Sequence, residues 1–567
     1  MAEQTTAPTA AERTYTVADY LFDRVAETPA TDVFGVPGDF NLPFLDNILS
    51  HPSLRWVGNT NELNAGYCAD AYARVRGFAA MVTTFGVGEL SAINATAGSY
   101  AEYAPVLHIV GAPSRATQAS GRKVHHTLGD GRFNHFFDMA AEVTCAQAWL
   151  TPANAAGEID RVIRTMLTER RPGYLVLSPD VARAPIYRPD DEITAKRPAV
   201  SSRAAVEAFK DAAREFLAGK QTTILADLLV HRLGGWEHFK ELIESTDLPY
   251  ATLAWGKTLV DERSPRFAGV YAGAASKPAA KGAVENAERL ITLGVEFTDN
   301  TTAGFSTNLD DARIIEVEAQ QASVGGRAFA PIHIVDAMDA LTEVLGEEGS
   351  AQAYPLGEFS APEKQRAADD APLEQNDLWT IASEWLPTDS IVIADQGTSF
   401  FGMADRHMPA GSMFIGQPLW GSIGYSVPAA LGAGLADRSR RPVLLVGDGS
   451  ALLTIQEVAT MVREGLNPIV LVINNSGYTV ERAIHGADQY YNDIPTTHWE
   501  LIPAAFGGDE STTQVSRAAT AGELKRALQD AEKASEKLAL VEVITDRDDI
   551  PTLLAATTEA LAKNARS

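Results

Sequence analysis

The chain has 567 residues, 45% hydrophobic and 21% charged, a globular balance with room for roughly three or four domains. Its formal net charge of −27, from 47 basic and 74 acidic residues, argues against nucleic acid or an anionic membrane as a partner. Two cysteines, Cys68 and Cys145, give no metal cluster and no disulfide framework, and no apolar run approaches the roughly eighteen residues of a membrane span. Residues 1–13, MAEQTTAPTAAER, lack a basic region followed by an apolar core, so the expectation is a soluble cytoplasmic protein without a signal peptide.

In chain order, residues 14–185 alternate helix-like and strand-like segments: a helix over 17–28, then strands over 32–36, 81–85, 106–110 and 174–177. Residues 186–200, proline-rich and charged, read as a linker. A second α/β region over 200–345 has strands near 222–225, 289–293 and 313–317. Residues 346–375 have almost no apolar periodicity and read as a second linker, and a third α/β domain covers 376–567. The expected fold is therefore three α/β domains with mostly parallel sheets.

The third domain carries the most informative stretch, residues 443–481. Val443–Val446 reads as a buried strand ending on Gly447-Asp448-Gly449. Ser450 opens an amphipathic helix with apolar Leu453, Val458 and Met461-Val462, and a second strand ends on Asn474-Asn475-Ser476-Gly477. Strand, helix, strand is one parallel crossover unit, so both strands finish at the sheet edge where α/β proteins bind ligands. Asp448 offers a carboxylate, Asn475 an amide carbonyl and Gly477 a backbone carbonyl, hard oxygen donors that suit Mg²⁺ carrying a diphosphate. A plain turn would explain GDG alone; the Asn-Asn pair at the end of the next strand favours the ligand reading.

The first domain holds further candidates, each with a bland alternative. Asp39 follows a strand and suits a helix cap. Glu62 opens an alanine-rich helix, where an acid favours the dipole. His125-His126 lies in a polar loop. Ala251–Thr258 ends like a Walker A loop but lacks its first glycine, and Gly86-Val87-Gly88 reads as close packing of helix on strand.

GDG followed by NN at this spacing is the thiamine-diphosphate motif. The whole chain resembles the thiamine-diphosphate-dependent 2-oxo acid decarboxylases, through VFGVPGDFN, NELNAGYCADAYAR, KVHHTLGDG, ADQGTS, LWGSIGYS and the GDG–NNSGYTVE segment in the family's order. The His-His pair separates that family from carboligating relatives such as acetolactate synthases, which generally lack it. The resemblance implies that the first domain binds the pyrimidine and the third the diphosphate. It implies a homodimer at least, usually a homotetramer, because different chains hold the two cofactor halves. Glu62 would hydrogen-bond the pyrimidine and set its tautomer. Gly421 and Ile423 would hold the rings bent, Asp448, Asn475 and Gly477 would hold Mg²⁺, and Gly449, Ser450 and Thr398 would meet the diphosphate. Asp39, His125, His126 and Glu481 would line the reacting centre and manage protonation after CO₂ departs.

Substrate size is the open question. DQGTS at 395–399 is similar to indolepyruvate and branched-chain 2-oxo acid decarboxylases, and Phe400 resembles the branched-chain enzymes. Gln396, Phe401, Val480 and Leu561 are placed beside it, with Thr301 and Thr557 as small residues that leave room. The expectation is a decarboxylase of branched-chain or aromatic 2-oxo acids. A pyruvate decarboxylase is the alternative, and an acyloin-forming carboligase or a cofactor-binding subunit without activity are more distant ones. The stretch 224–231 has no cysteine where substrate-activated pyruvate decarboxylases carry one, which implies hyperbolic kinetics.

Overall fold

The computed structural model describes residues 14–193, 201–357 and 367–564. The expectation for residues 1–13 and the middle of each linker lies outside them. Three sheets follow in chain order, within two compact units that divide near residue 196.

The first unit holds β1 (Asp32–Gly35), β2 (Arg55–Gly58), β3 (Ala79–Thr84), β4 (Val106–Gly111), β5 (Ala146–Trp149) and β6 (Gly173–Leu177). Their order is β2-β1-β3-β4-β6-β5, with every neighbouring pair parallel. β3, β4 and β6 are buried along their whole length, which is why they are mostly apolar, with the buried Thr83 and His108 hydrogen-bonded to each other at 2.9 Å. Four helices matter here: α1 (Val17–Ala26), α2 (Leu42–Ser50), α3 (Glu62–Arg76) and α4 (Val87–Ala101). α1 starts on a capping box between Thr16 and Asp19.

α3 is alanine-rich because it is nearly engulfed. A Cβ on Gly66 would come within 2.5 Å of Ala95 on α4, so only small residues fit there. Its buried Arg74 ties Asp70 (2.6 Å) to Glu102 (2.9 Å), a charge set complete enough to be kept inside. The start of the first linker is not a free tether. Arg24 donates to the Asp191 carbonyl at 2.5 Å, and the Ile193 N–H donates to Glu27 at 2.5 Å, laying residues 191–193 against α1.

The second unit holds two sheets. In the central one, β7 (Lys220–Ala226), β8 (Tyr250–Thr252), β9 (Phe267–Val270), β10 (Arg289–Leu293), β11 (Ile314–Val317), β12 (Ala322–Val324) and β13 (Arg327–Phe329) run in the order β13-β12-β11-β10-β7-β8-β9. A short strand, β14 (Ala351–Ala353), pairs with β7 inside the stretch read as a linker. Ala-Gln-Ala carries no alternation to betray it. Lys257, in the Walker-like stretch, is buried against Glu262 at 2.7 Å and serves the fold.

The third sheet contains β15 (Ile391–Ala394), β16 (Met413–Ile415), β17 (Pro442–Gly447), β18 (Ile469–Asn474), β19 (Thr513–Ala518) and β20 (Leu538–Ile544), all parallel, in the order β16-β15-β17-β18-β20-β19. β17 and β18 are direct neighbours with Gly447 opposite Ile473, so Asp448 and Asn474-Asn475 emerge side by side.

The helix expected from Ser450 differs in two ways. It starts at Asp448, and a 3₁₀ turn at Ile455–Glu457 separates Asp448–Thr454 from Val458–Arg463. The turn changes the facing of the first segment, leaving Leu453 50% exposed while Val458 and Met461 are buried.

Candidate active site

In the first unit, the loop after β1 folds around a fully buried amide. The Gly38 N–H donates to Asn41 Oδ1 at 2.8 Å, and Asn41 Nδ2 donates to the Val36 carbonyl at 3.1 Å. Asn41, not Asp39, occupies the N-cap of α2. Asp39 is therefore free of the bland role, and its Oδ2 lies 2.7 Å from His125 Nε2. Phe40 stacks on His125 at 4.9 Å and meets His126 edge-on at 6.1 Å, while the two imidazoles are 4.6 Å apart. His126 takes φ +62°, a strained value for a residue with a side chain and common at functional loops. Asp39, His125 and His126 thus form one cluster, with Phe40 as a packing partner that sequence reasoning missed.

Glu62 is the first residue of α3. The capping duty falls to Asn61, whose Oδ1 accepts from the Asn64 N–H at 2.8 Å. Among the described residues none donates a hydrogen bond to the half-buried Glu62 carboxylate. Gly88 lies against it, since a Cβ there would be 3.2 Å from Glu62 Oε1. Thr84 Oγ1, beside Gly38, is buried without a partner. An unengaged acid and an orphaned hydroxyl suit a polar heterocycle.

In the second unit, the ends of β15, β17 and β18 bring together Thr398, Asp448, Gly449, Ser450, Asn475 and Gly477. The Asn475 side-chain amide lies 3.1 Å from Asp448 Oδ1 and 2.9 Å from the Gly477 carbonyl. With its nitrogen turned inward it hydrogen-bonds both; with its oxygen turned inward it joins them as a third hard donor for a cation. Adjacent ligands of an octahedral Mg²⁺ with bonds of about 2.1 Å are separated by about 3.0 Å, so the donor set fits that ion. Burial pushes the Asp448 carboxyl up to about 6, against the opposing N–H bonds of Gly449 and Gly477. Gly477, at φ +132°, also needs its missing side chain, because a Cβ would strike the Asn492 carbonyl at 2.1 Å.

Two supports of this region were not anticipated. Asp395, buried at the end of β15, accepts from Ser426 Oγ at 2.6 Å and from the N–H groups of Ser426 and Gly424, and Ser450 hydrogen-bonds the same carboxylate. Burial raises its pKa and those bonds lower it. Arg482, also buried, donates to the carbonyls of Asn475 (3.3 Å) and Ser476 (2.8 Å) and to Asp493 (2.8 Å), bracing the Asn475–Gly477 turn from behind. Gly421 sits at φ +64°, and Ile423 is only partly buried, so it is no ordinary core isoleucine. Gln396 Oε1, Ser399 Oγ and Gln417 Nε2 are buried without partners among the described residues, the signature of a polar ligand's cradle.

Phe400 and Phe401 lie on the helix Thr398–Ala404 and Val480 and Glu481 on Thr479–His485, both packed on the C-terminal helix Thr552–Asn564, which carries Thr557 and Leu561. Phe400 and Phe401 belong to the core with Leu553 and Leu554, and Val480 packs against it. Glu481 is exposed, as is part of Leu561. Thr301 is on a turn of the central domain, where its hydroxyl bonds Thr298 Oγ1 at 2.9 Å; the neighbouring Asn300 donates to the Pro418 carbonyl at 2.8 Å.

Among the described residues no helix is long and apolar enough to cross a membrane. Residues 15–134 match the N-terminal TPP binding domain of thiamine pyrophosphate enzymes, residues 209–345 their central domain, and residues 395–543 their C-terminal TPP binding domain. The chain is 51% identical over 545 residues to an alpha-keto-acid decarboxylase of Mycolicibacterium paratuberculosis, covering 96% of each. Proteins of the same description from Mycobacterium leprae (50% over 554 residues, 96% of each) and Mycobacterium tuberculosis (49% over 548, 97% of each) are similar to it. Matches along nearly the whole length, on a chain of three mostly parallel-sheet α/β domains, show that it belongs to the thiamine-diphosphate-dependent 2-oxo acid decarboxylases and is a carboxy-lyase.

Proposed function

We propose that the protein decarboxylates branched-chain or aromatic 2-oxo acids to the aldehyde and CO₂, with thiamine diphosphate and Mg²⁺, as a cytoplasmic homodimer or homotetramer. The observation that carries the cofactor reading is the Asn475 side-chain amide, set 3.1 Å from the Oδ1 of the buried Asp448 and 2.9 Å from the Gly477 carbonyl at the ends of β17 and β18. These three residues would hold Mg²⁺, and Thr398, Gly449 and Ser450 would bind the diphosphate. When bound, the cofactor supplies an electron sink for loss of CO₂.

The chain's own residues bind, orient and move protons. Glu62 exchanges a proton with the aminopyrimidine, and its freedom from other donors suits that task. Gly421 and Ile423 orient the rings. Asp39 orients His125 through their 2.7 Å contact, and His125, His126 and Glu481 deliver and remove protons as the aldehyde forms and leaves.

For the substrate, Gln396, Phe400, Phe401, Val480 and Leu561 line the pocket, and Thr301 and Thr557 leave it open. The hydroxyls of both threonines are engaged locally, Thr301 with Thr298 and Thr557 with the Leu553 carbonyl at 2.8 Å, so each adds a small surface of low polarity. Each additional buried methylene contributes about 0.8 kcal/mol, which over a few carbons favours the larger acid by more than about tenfold. One observation favours the pyruvate alternative: the Phe400 ring fills the space beside Gly416, where a Cβ would come within 2.6 Å of it.

The test is kcat/KM for pyruvate, 4-methyl-2-oxopentanoate, phenylpyruvate and indolepyruvate, with aldehyde and acyloin products quantified. We expect the larger acids to lead and aldehyde to dominate. Pyruvate ahead by about tenfold or more would replace the substrate assignment. Excess acyloin would replace the reaction assignment.

A further inference from the structure

A single turn, Phe85-Gly86-Val87-Gly88-Glu89, lies against two of the proton-handling residues of the first unit. Gly86 stands at φ +62°, and a Cβ on it would come 1.9 Å from the His126 carbonyl oxygen. Two residues on, a Cβ on Gly88 would be 3.2 Å from Glu62 Oε1. The turn is therefore in contact with the backbone of His126 and with the carboxylate of Glu62, and any shift in it moves both.

What fixes the turn is Glu89. Its Oε1 accepts the Gly86 N–H at 2.7 Å, closing the start of α4, and its Oε2 accepts the hydroxyl of Tyr174 on β6. Behind it, Tyr174 meets His108 of β4 edge-on at 5.5 Å, and His108 Nε2 is 2.9 Å from Thr83 Oγ1. Glu89 is only 4% exposed. A glutamine would close the same helix start without bringing an acid into the core, and burying a carboxylate among neutral donors is costly. The cap alone does not account for an acid here.

We propose that Glu89 is a positioning residue for the decarboxylation: through the Gly86 turn it sets Glu62 and the His126 loop together, and its proton controls that placement. The inference rests on the assignment of Glu62 and His126 to the reaction. The ionised carboxylate accepts both the Gly86 N–H and the Tyr174 O–H. A proton on Oε2 reverses the second bond, so that Glu89 donates to a Tyr174 hydroxyl that must turn its own hydrogen away, and the anchoring of the turn changes with it.

The surroundings allow this titration. Burial pushes the Glu89 carboxyl up to about 7, and the Tyr174 and Gly86 bonds pull the other way. His108 is kept neutral by burial, which lowers it to about 3. On α3, Arg74 is committed to Asp70 and Glu102, and across the turn stand Glu62 and His126. The activity should then rise with pH through a limb near 7.

Glu89→Gln and Tyr174→Phe, in the full chain with thiamine diphosphate and Mg²⁺, test this through kcat and KM between about pH 5.5 and 8.5, alongside melting midpoints. In Glu89→Gln we expect kcat to fall about tenfold or more with KM little changed, and the limb to vanish. Tyr174→Phe removes a bond that favours the ionised acid, so it should move the limb to higher pH. An unmoved limb in both folded variants overturns the proposal, and if Glu89→Gln does not fold, an unmoved limb in Tyr174→Phe does so alone. Glu62→Gln and His126→Asn run in parallel. Full activity in those two would refute the site assignment itself, whereas their loss beside an unaffected Glu89→Gln would refute only the positioning role.

Discussion

Asp448→Asn should stabilise the protein without metal and abolish its response to metal. Burial raises the Asp448 carboxyl from 3.8 to about 6, which at about 1.4 kcal/mol per tenfold corresponds to about 3 kcal/mol. The sign follows from the neutral form being the one the fold favours. The parent's deficit is absent below about 3.8, grows as pH rises, and is complete above about 6. An amide removes the charge but turns one donor against the N–H of Gly477 or Gly449, costing about 1 kcal/mol. The net gain near neutrality is about 2 kcal/mol. Unfolding in urea with a chelator, at about pH 7.5 and about pH 4.5, reads it: the variant should lead at the higher pH and lose that lead at the lower. Adding Mg²⁺ and thiamine diphosphate should then reverse the order, since ligand at about a hundred times its Kd adds about 2.7 kcal/mol to the parent alone. An equal gain at both pH values, or a variant that still responds to Mg²⁺, would refute the ligand role of this carboxylate.

Glu62→Gln keeps the shape beside Gly88 but cannot carry a proton. Hydrogen–deuterium exchange at the cofactor's C2 should slow by about two orders of magnitude or more, with cofactor affinity falling less. Rate curves against substrate should be hyperbolic, because residues 224–231, the stretch in which substrate-activated relatives carry a regulatory thiol, contain no cysteine. A sigmoid with a lag in progress curves would contradict that.

The parts of the fold that sequence revealed are those dominated by one physical effect. β3, β4, β17 and β18 are covered on both faces, so each is dominated by apolar residues. The segment after Asp448 misled because apolar spacing was extended through Ile455–Glu457, where the backbone tightens and Thr454 donates its hydroxyl to the Gly424 carbonyl at 2.6 Å. No periodicity encodes that contact. At the site, Asp448, Asn475, Glu62 and the histidine pair were legible from their spacing and their resemblance to a family. Phe40, Asp395 and Glu89 were not, because each acts on partners distant in sequence, and neither was Arg482, whose near neighbours meet it only once the turn has formed. Arg482 looks like a surface cation in YTVERAIH until the fold turns the carbonyls of Asn475 and Ser476 towards it.

Asp395 and Asp448 sharpen the point, for they stand at the ends of adjacent strands, β15 and β17, and both are buried. By sequence the two are alike: an acid after an apolar run, followed closely by glycine. Their surroundings separate them. Asp395 accepts two backbone N–H groups, the Ser426 hydroxyl and a bond from Ser450, so its charge is satisfied by donors drawn from two segments. Asp448 has N–H donors from Gly449 and Gly477, and the same Oδ1 that accepts from Gly449 also lies 3.1 Å from the side-chain amide of Asn475. A carboxylate surrounded by donors has no need of a cation and organises the loops that supply them. A carboxylate with fewer donors, beside an amide whose oxygen can turn towards it, has room for a cation. The second arrangement is the one that, under the proposed function, would hold the diphosphate's metal.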